Sequence, residues 1–206
     1  MIALSLRRSG VRVAFTDRSD TLDQACSVLG GDQSLVRVRQ VHGTRVISVP
    51  DEGEGVEADG IYLPAGRPEV AGIATADCLP LVLANHNGDA VALHVGWRGL
   101  VGGVIEAGLS RLGGNGLEAV IGPHIRSCCY QFLGPERYVV EQRFGPASFA
   151  GDNLSLEYGV QQVLEQNRVG SMIAVEQCTF CDDGYHSYRR DRTSMRQLTL
   201  VGAGGR

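Results

Sequence analysis

Lysine is absent from the 206 residues, so all 19 basic side chains are arginine. The chain can therefore form no lysine Schiff base and use no lysine as a general base. A compositional bias of the source genome accounts for the absence, since no selected basic patch accompanies it. An excess of one charge is also missing: 23 acidic residues against 19 basic leave a net charge of −4. That balance carries no electrostatic footprint for nucleic acid or an anionic membrane surface. Long apolar runs are lacking too. The N-terminal stretch carries Arg7, Arg8 and Arg12 without a signal-peptide core, and no later segment approaches a membrane span, so a cytoplasmic protein is expected. There is no internal repeat, low-complexity tract or linker. With 43% hydrophobic and 20% charged residues, residues 1–206 are expected to form one globular mixed α/β domain. In a reducing compartment the six cysteines read as catalytic, metal-binding or buried thiols rather than as disulfides.

Hydrophobic periodicity places strands at Val11–Phe15 and Leu35–Val41, with a short helix, Thr21–Leu29, ending at Gly30-Gly31. The acidic, glycine-rich stretch Val46–Gly60 reads as a surface loop. Val70–Ala74, Leu79–Ala84 and Ala90–Val95 are strand-length apolar runs, the last two joined by the hairpin signal Asn85-His86-Asn87-Gly88-Asp89. Helical spacing follows through Val101–Leu112, closed by Gly113-Gly114. A strand over Leu117–Gly122, helices over Pro135–Phe144 and Leu156–Gln166, and a last strand over Val169–Val175 precede a polar, arginine-rich tail.

Strand ends beside loops are where open sheets build their sites, and three metal-ligand residue types occupy such ends. His42 follows a strand in Gln40-Val41-His42-Gly43. Cys78 lies in Thr75-Ala76-Asp77-Cys78-Leu79-Pro80, and His94 is the penultimate residue of a strand before Gly96-Trp97-Arg98-Gly99. Two imidazoles and a thiolate suit zinc, and three protein ligands leave a fourth position open for water or substrate. No compact zinc motif is present, so spacing alone leaves packed or hydrogen-bonded residues as the competing reading.

Whole phrases narrow the choice. Gln40-Val41-His42-Gly43, Ala58-Asp59-Gly60, Thr75 to Pro80, His94-Val95-Gly96-Trp97-Arg98-Gly99-Leu100, Ile121-Gly122-Pro123-His124-Ile125 with Cys128-Cys129-Tyr130, and Ser187-Tyr188-Arg189-Arg190-Asp191 occur in the order seen in the laccase-domain, or YfiH-like, family. The resemblance runs from about Phe15 to Arg196. It implies a four-layer α/β/β/α sandwich, related in architecture to the catalytic domain of cytotoxic necrotizing factor, and a zinc on His42, Cys78 and His94. It also implies purine nucleoside phosphorylase activity on adenosine, inosine and methylthioadenosine, with adenosine deaminase activity. An older label for the family is polyphenol oxidase, and a bacterial relative has been assigned a peptidoglycan-precursor editing role. A true multicopper oxidase is excluded by counting: of five histidines, three remain beside His42 and His94, too few for a trinuclear copper cluster. A single copper on the same trio, oxidising phenols weakly, stays open.

If the reaction is phosphorolysis, Arg45 and Arg98 are candidate phosphate clamps, Arg98 at a helix N-terminus. Asp77 is the candidate acid/base, with the orienting of a ligand as its alternative role. His124 is a candidate substrate contact, His86 is expected in solvent, and Tyr188, Arg189 and Arg190 are placed to close one side of the site. Cys128 and Cys129 do not fit one small pocket together, so at least one reads as buried and structural. Cys178-Thr179-Phe180-Cys181 has the spacing of a redox or metal pair, but no second CxxC or histidine set adjoins it in sequence, which favours a structural role. The rival from another class is a metal-independent hydrolase with Cys78 as nucleophile and His94 or His42 as base; a non-catalytic binding module is a third reading. Two departures from the family pattern stand out. Phe15-Thr16-Asp17-Arg18 runs directly into Ser19-Asp20-Thr21, shortening a glycine-rich stretch, and Asp191 is followed by Arg192 where glycine is usual.

Overall fold

Alternating small and branched residues build two stacked sheets, described by a computed structural model over residues 1–6, 9–29, 34–50 and 55–204. The strands are β1 (Ile2–Ser5), β2 (Arg12–Phe15), β3 (Leu35–Arg37), β4 (Val46–Ser48), β5 (Gly60–Leu63), β6 (Val70–Thr75), β7 (Leu79–Ala84), β8 (Ala90–Val95), β9 (Glu118–Ile121), β10 (Phe149–Ala150), β11 (Asn153–Leu154), β12 (Ser171–Ala174) and β13 (Gln197–Gly202). One sheet has the order β1-β2-β13-β6-β3 and the other β12-β9-β7-β8-β5-β4; β10 and β11 form a separate ribbon. The helices are α1 (Leu22–Val28), α2 (Trp97–Gly102), α3 (Val104–Leu112), α4 (Glu136–Phe144), α5 (Leu156–Gln166) and α6 (Tyr188–Asp191).

Period-two alternation divides the side chains between layers. Val13, Phe15, Ile73 and Val201 of the first sheet pack against Val82, Ala92 and Val120 of the second, forming the core between the sheets. The odd positions Leu79, Leu81, Leu83, Val91 and Leu93 point the other way, onto Leu100, Val104, Ile105 and Val160 of α2, α3 and α5. Helix α1 covers the outer face of the first sheet through Ala25, and Leu29 just beyond its end joins the same cluster. On β8 the inter-sheet face reads Ala90, Ala92, His94, and on β7 the same parity, continued backward from Val82 and Pro80, reaches Cys78. The alternation that buries the core thus turns His94 and Cys78 toward the same gap.

Several expectations hold and others need correction. The hairpin of β7 and β8 forms with Leu79 opposite Val95, and Thr21 caps α1 through a capping box with Gln24; Gly30-Gly31 and the acidic residues 51–54 lie outside the described residues. The reading of Val46–Gly60 as a loop is overturned at its start, where Val46 and Ile47 are buried and β4 pairs parallel with β5. Its valine and isoleucine were outweighed by the acidic glycines that follow. The polar tail is likewise corrected: β13 lies between β2 and β6, its Gln197 and Thr199 buried although polar. The strand begun at Leu35 ends at Arg37, with Arg39 making only an isolated bridge to Glu57. The helix read from Val101 starts earlier, at Trp97, and breaks at Gly103, whose φ is 95°. Among the described residues no helix is long and apolar enough to cross a membrane.

Close packing between the sheets leaves Gly122 no room for a side chain. A Cβ there would lie 2.2 Å from Phe15 Cε1 and 2.8 Å from Pro80 Cγ, and Phe15 is itself buried. Gly122→Ala is therefore expected to destabilise the protein by about 1–3 kcal/mol, lowering Tm by several degrees. A thermal unfolding midpoint equal to that of the parent chain would show that the contact yields freely.

Candidate metal centre and the cavity around it

The site forms where β6 ends, the chain crosses from one sheet to the other at Ala76-Asp77-Cys78, and β8 ends beside it. A third segment, Gln40 to Gly43, reaches it from the end of β3. Gln40 latches this segment to β6: its side-chain amide donates to the Ala74 carbonyl at 2.7 Å and accepts from the Ala74 amide at 2.8 Å. His42 then turns with a φ of 59°, a left-handed conformation that costs a non-glycine residue energy and needs outside support. Asp59 supplies it. This carboxylate, fully buried, accepts from the amides of Val41 at 3.2 Å, His42 at 2.9 Å and Gly43 at 2.6 Å. Its Oδ1 also lies 2.7 Å from His94 Nδ1.

His42, Cys78 and His94 converge, their ligand atoms all within 4.8 Å of one another. Cys78 Sγ is 3.7 Å from His42 Nε2, and the two imidazole rings meet edge to face with centroids 4.7 Å apart. Gly96 permits this approach, because a Cβ there would lie 2.7 Å from His42 Cδ2 and 3.3 Å from Cys78 Sγ. Because Asp59 occupies Nδ1 of His94, Nε2 is the nitrogen left for an ion, the carboxylate–histidine arrangement that fixes a metal-bound imidazole. One thiolate and two imidazoles fit zinc or copper by donor chemistry. Electrostatics agree in sign. Burial alone would raise the Cys78 thiol, but hydrogen bonds with His42 and His94 outweigh it and bring the group down to about 6. Burial would lower His94, yet Asp59 and the Cys78 thiolate raise it to about 9. Both shifts run in the direction of a thiolate beside an imidazolium.

These residues border a cavity of about 490 Å³, within the range that holds small ligands. Asp77, Tyr130, Tyr188, Arg37, Arg189 and Arg196 are also in its wall, with Ile125 and Leu156 among the apolar contacts. Asp77 has both oxygens engaged: Oδ1 accepts from Thr179 Oγ1 at 2.8 Å and Oδ2 from the Arg189 amide at 2.6 Å. Its carboxylate thereby ties the start of α6 and the segment at Thr179 to the site. The expectation that Tyr188 and Arg189 close one side agrees with their place in the wall. Arg190 instead points back, donating to the carbonyls of Thr179, Phe180 and Tyr185.

The wall does not include Arg45, Arg98 or His124. Arg98 is exposed and lies 4.3 Å over the Trp97 ring, and Arg45 is exposed beyond the turn at Gly43. His124 is buried with Nδ1 on the Gly122 carbonyl at 2.9 Å; burial takes its pKa down to about 4. The cavity's cations come instead from Arg37, Arg189 and Arg196, scattered through a chain whose every basic residue is arginine, so composition did not single them out. Asp59 was visible only as part of a phrase; a lone carboxylate beside Gly60 gave no sign of its four partners. At the departure from the family pattern, Arg192 adopts φ 52°, the conformation glycine takes without cost, with its guanidinium 5.4 Å from the centre of the Tyr188 ring.

Residues 16–203 match the pattern of a protein family described as multi-copper polyphenol oxidoreductase laccase. A purine nucleoside phosphorylase from Aquifex aeolicus is 32% identical over 180 residues, covering 83% of this chain and 84% of its own length. A purine nucleoside phosphorylase named YfiH, from Escherichia coli, is 30% identical over 81% of this chain and 72% of its own length. The crystal structure of a Neisseria meningitidis protein assigned to DUF152 superposes with a TM-score of 0.80 at 21% identity, over 98% of this chain and 96% of that one. A YfiH protein from Bacillus licheniformis gives 0.77 at 21% identity, over 95% and 93%. These structures share the mixed α/β fold. Among the described residues His86, His124 and His186 join no cluster of metal-ligating side chains. With the match spanning nearly its whole length, the chain belongs to the laccase-domain family, whose members include the YfiH and DUF152 proteins.

Proposed function

We propose that the protein is a zinc-dependent purine nucleoside phosphorylase that also deaminates adenosine, with His42, Cys78 and His94 as the zinc ligands. The observation that carries this reading is a single cavity combining that trio with three arginines and two tyrosines, together with the names of the relatives. Phosphate needs bidentate cationic donors, which Arg37, Arg189 and Arg196 offer in place of Arg45 and Arg98. A purine needs flat apolar surface, which Tyr130 and Tyr188 offer beside Ile125 and Leu156. Zinc, when bound, supplies a Lewis acid with an open position. The chain's own work is to hold the two imidazoles and the thiolate through Asp59 and Gly96, and to present the anion to the arginines. Asp77 fixes the wall in this reading; acting as acid/base would require it to release Thr179 or the Arg189 amide. The stacking of α1, two sheets and the remaining helices supports reading residues 1–206 as one four-layer α/β/β/α domain.

The test is to incubate the zinc-loaded protein with adenosine, with and without phosphate, and identify products by mass. Adenine or hypoxanthine with ribose 1-phosphate, formed only with phosphate, is the expected result, with inosine marking the deaminase activity. Adenosine recovered unchanged in both arms would overturn the reading. A second reading, hydrolysis by Cys78 without metal, is favoured by one observation, the Cys78 sulfur 3.7 Å from His42 Nε2. It requires activity that survives chelation and a covalent acyl adduct on Cys78.

A further inference from the structure

Four cysteines that take no part in the cavity gather behind its wall. Cys128, Cys129, Cys178 and Cys181 place their sulfurs all within 4.8 Å of one another, and none is in a disulfide. Cys181 Sγ lies 3.7 Å from Cys128 Sγ and 3.1 Å from Cys129 Sγ. Thiolates arranged tetrahedrally around one zinc at bonds of about 2.3 Å stand about 3.8 Å apart. Shifts of an ångström or less therefore convert the group into a ligand shell. The expectation that Cys128 or Cys129 is buried is corrected here, as Cys128 is exposed and Cys129 half-buried. The missing companion to the Cys178–Cys181 spacing is this adjacent pair, which lies about 50 residues earlier in the chain and is brought across by the fold, with His124 forming an isolated bridge to Cys178.

We propose that Cys128, Cys129, Cys178 and Cys181 form a second metal centre, a tetrathiolate zinc site separate from the one at Cys78. The local backbone is already arranged for it. The Arg126 amide donates to Cys178 Sγ at 3.4 Å, a contact that supports a sulfur carrying negative charge. Cys178 is buried while Cys128 and Cys181 are exposed, so an ion has both a seat and an entry path. Loading exchanges four thiol protons for one dication, leaving a charge of −2 beside Arg126 and Arg190 of neighbouring segments.

The consequence falls on the cavity. Residues 126–131 carry Tyr130, and residues 178–181 carry Thr179, which holds Asp77. Arg189 meets the first segment directly, donating to the Gln131 carbonyl at 3.0 Å with its guanidinium 5.3 Å from the centre of the Tyr130 ring, and its amide shares Asp77 with Thr179 of the second. An ion on the four sulfurs clamps these two segments together and sets the position of that wall.

The experiment counts zinc by elemental analysis in the untagged full-length protein, produced with zinc and washed free of loose ions. The parent chain is expected to hold two equivalents. Cys128→Ser/Cys181→Ser, made at exposed positions where folding tolerates change, is expected to hold one. His42→Ala/His94→Ala is also expected to keep one, and this variant separates the present inference from the proposed catalytic zinc. Cobalt loaded into it should show the strong thiolate-to-metal charge-transfer absorption of a sulfur-only site, absent once Cys128 and Cys181 are also replaced. A His42→Ala/His94→Ala protein that folds without zinc, or a chain lighter by two hydrogen atoms because Cys129 and Cys181 are joined, would overturn the proposal.

Discussion

Asp59→Ala should cost about 3–5 kcal/mol of stability and empty the metal site together, because one buried carboxylate serves both. The substitution leaves the amides of Val41, His42 and Gly43 and the imidazole of His94 without their acceptor. Val41 and His42 are exposed and Gly43 half-buried, so their amides can turn to water, and most of the cost comes from the broken buried pair with His94, about 3–5 kcal/mol. The turn at His42 then loses what holds its left-handed backbone, so one ligand drifts while another loses its orientation. Asp59→Asn separates the effects. Its amide keeps the volume and one acceptor oxygen but cannot serve all four donors, so metal affinity is expected to fall about 10–100-fold with a smaller loss of stability. Urea unfolding and zinc titration measure the two separately. An alanine variant with the parent's unfolding midpoint and zinc content would remove Asp59 from the account.

Cys78→Ser is the sharper test of chemistry. A serine hydroxyl does not ionise near neutrality, so the exchange removes the only anionic ligand among the three while keeping nearly the same shape. The thiol is half-buried, and stability should change little. Phosphorolysis is expected to fall by roughly 10³-fold or more, the scale of losing a group on which the transition state depends. Chelation gives the matching result: the parent chain should lose activity and regain it with added zinc, whereas the serine variant should not respond. A parent chain equally active after exhaustive chelation would favour Cys78 as a metal-free nucleophile instead.

How much of this was legible beforehand depends on the range of the signal. Leu79–Ala84, Asn85–Asp89 and Ala90–Val95 announce a hairpin because alternation, turn chemistry and pairing all lie within 17 residues. His42, Cys78 and His94 stand out because residue type and strand-end position mark them, and the shared phrases reinforce the choice. Asp59, Arg37 and Arg196 do not stand out, since each takes its role from partners that only the folded sheets bring near. Arg98 was marked by a local cue, a helix N-terminus that attracts anions, while the fold lays its guanidinium over the Trp97 ring. The four-cysteine group was unreadable as a set because an adjacent pair and a CxxC pair match no single spacing pattern.

The placement of β13 between β2 and β6 has a consequence for how the molecule forms. Thr199 pairs with Phe15 on one side and Ile73 on the other, so the first sheet is held together by contacts between distant parts of the chain. Closing such loops costs entropy before any contact rewards it. Until Gln197–Gly202 docks, β2 and β6 present open edges able to pair with other chains. Assembly of this sheet is thus expected to be the slow, aggregation-exposed stage of folding, and the cavity, built at its rim, is completed only after it.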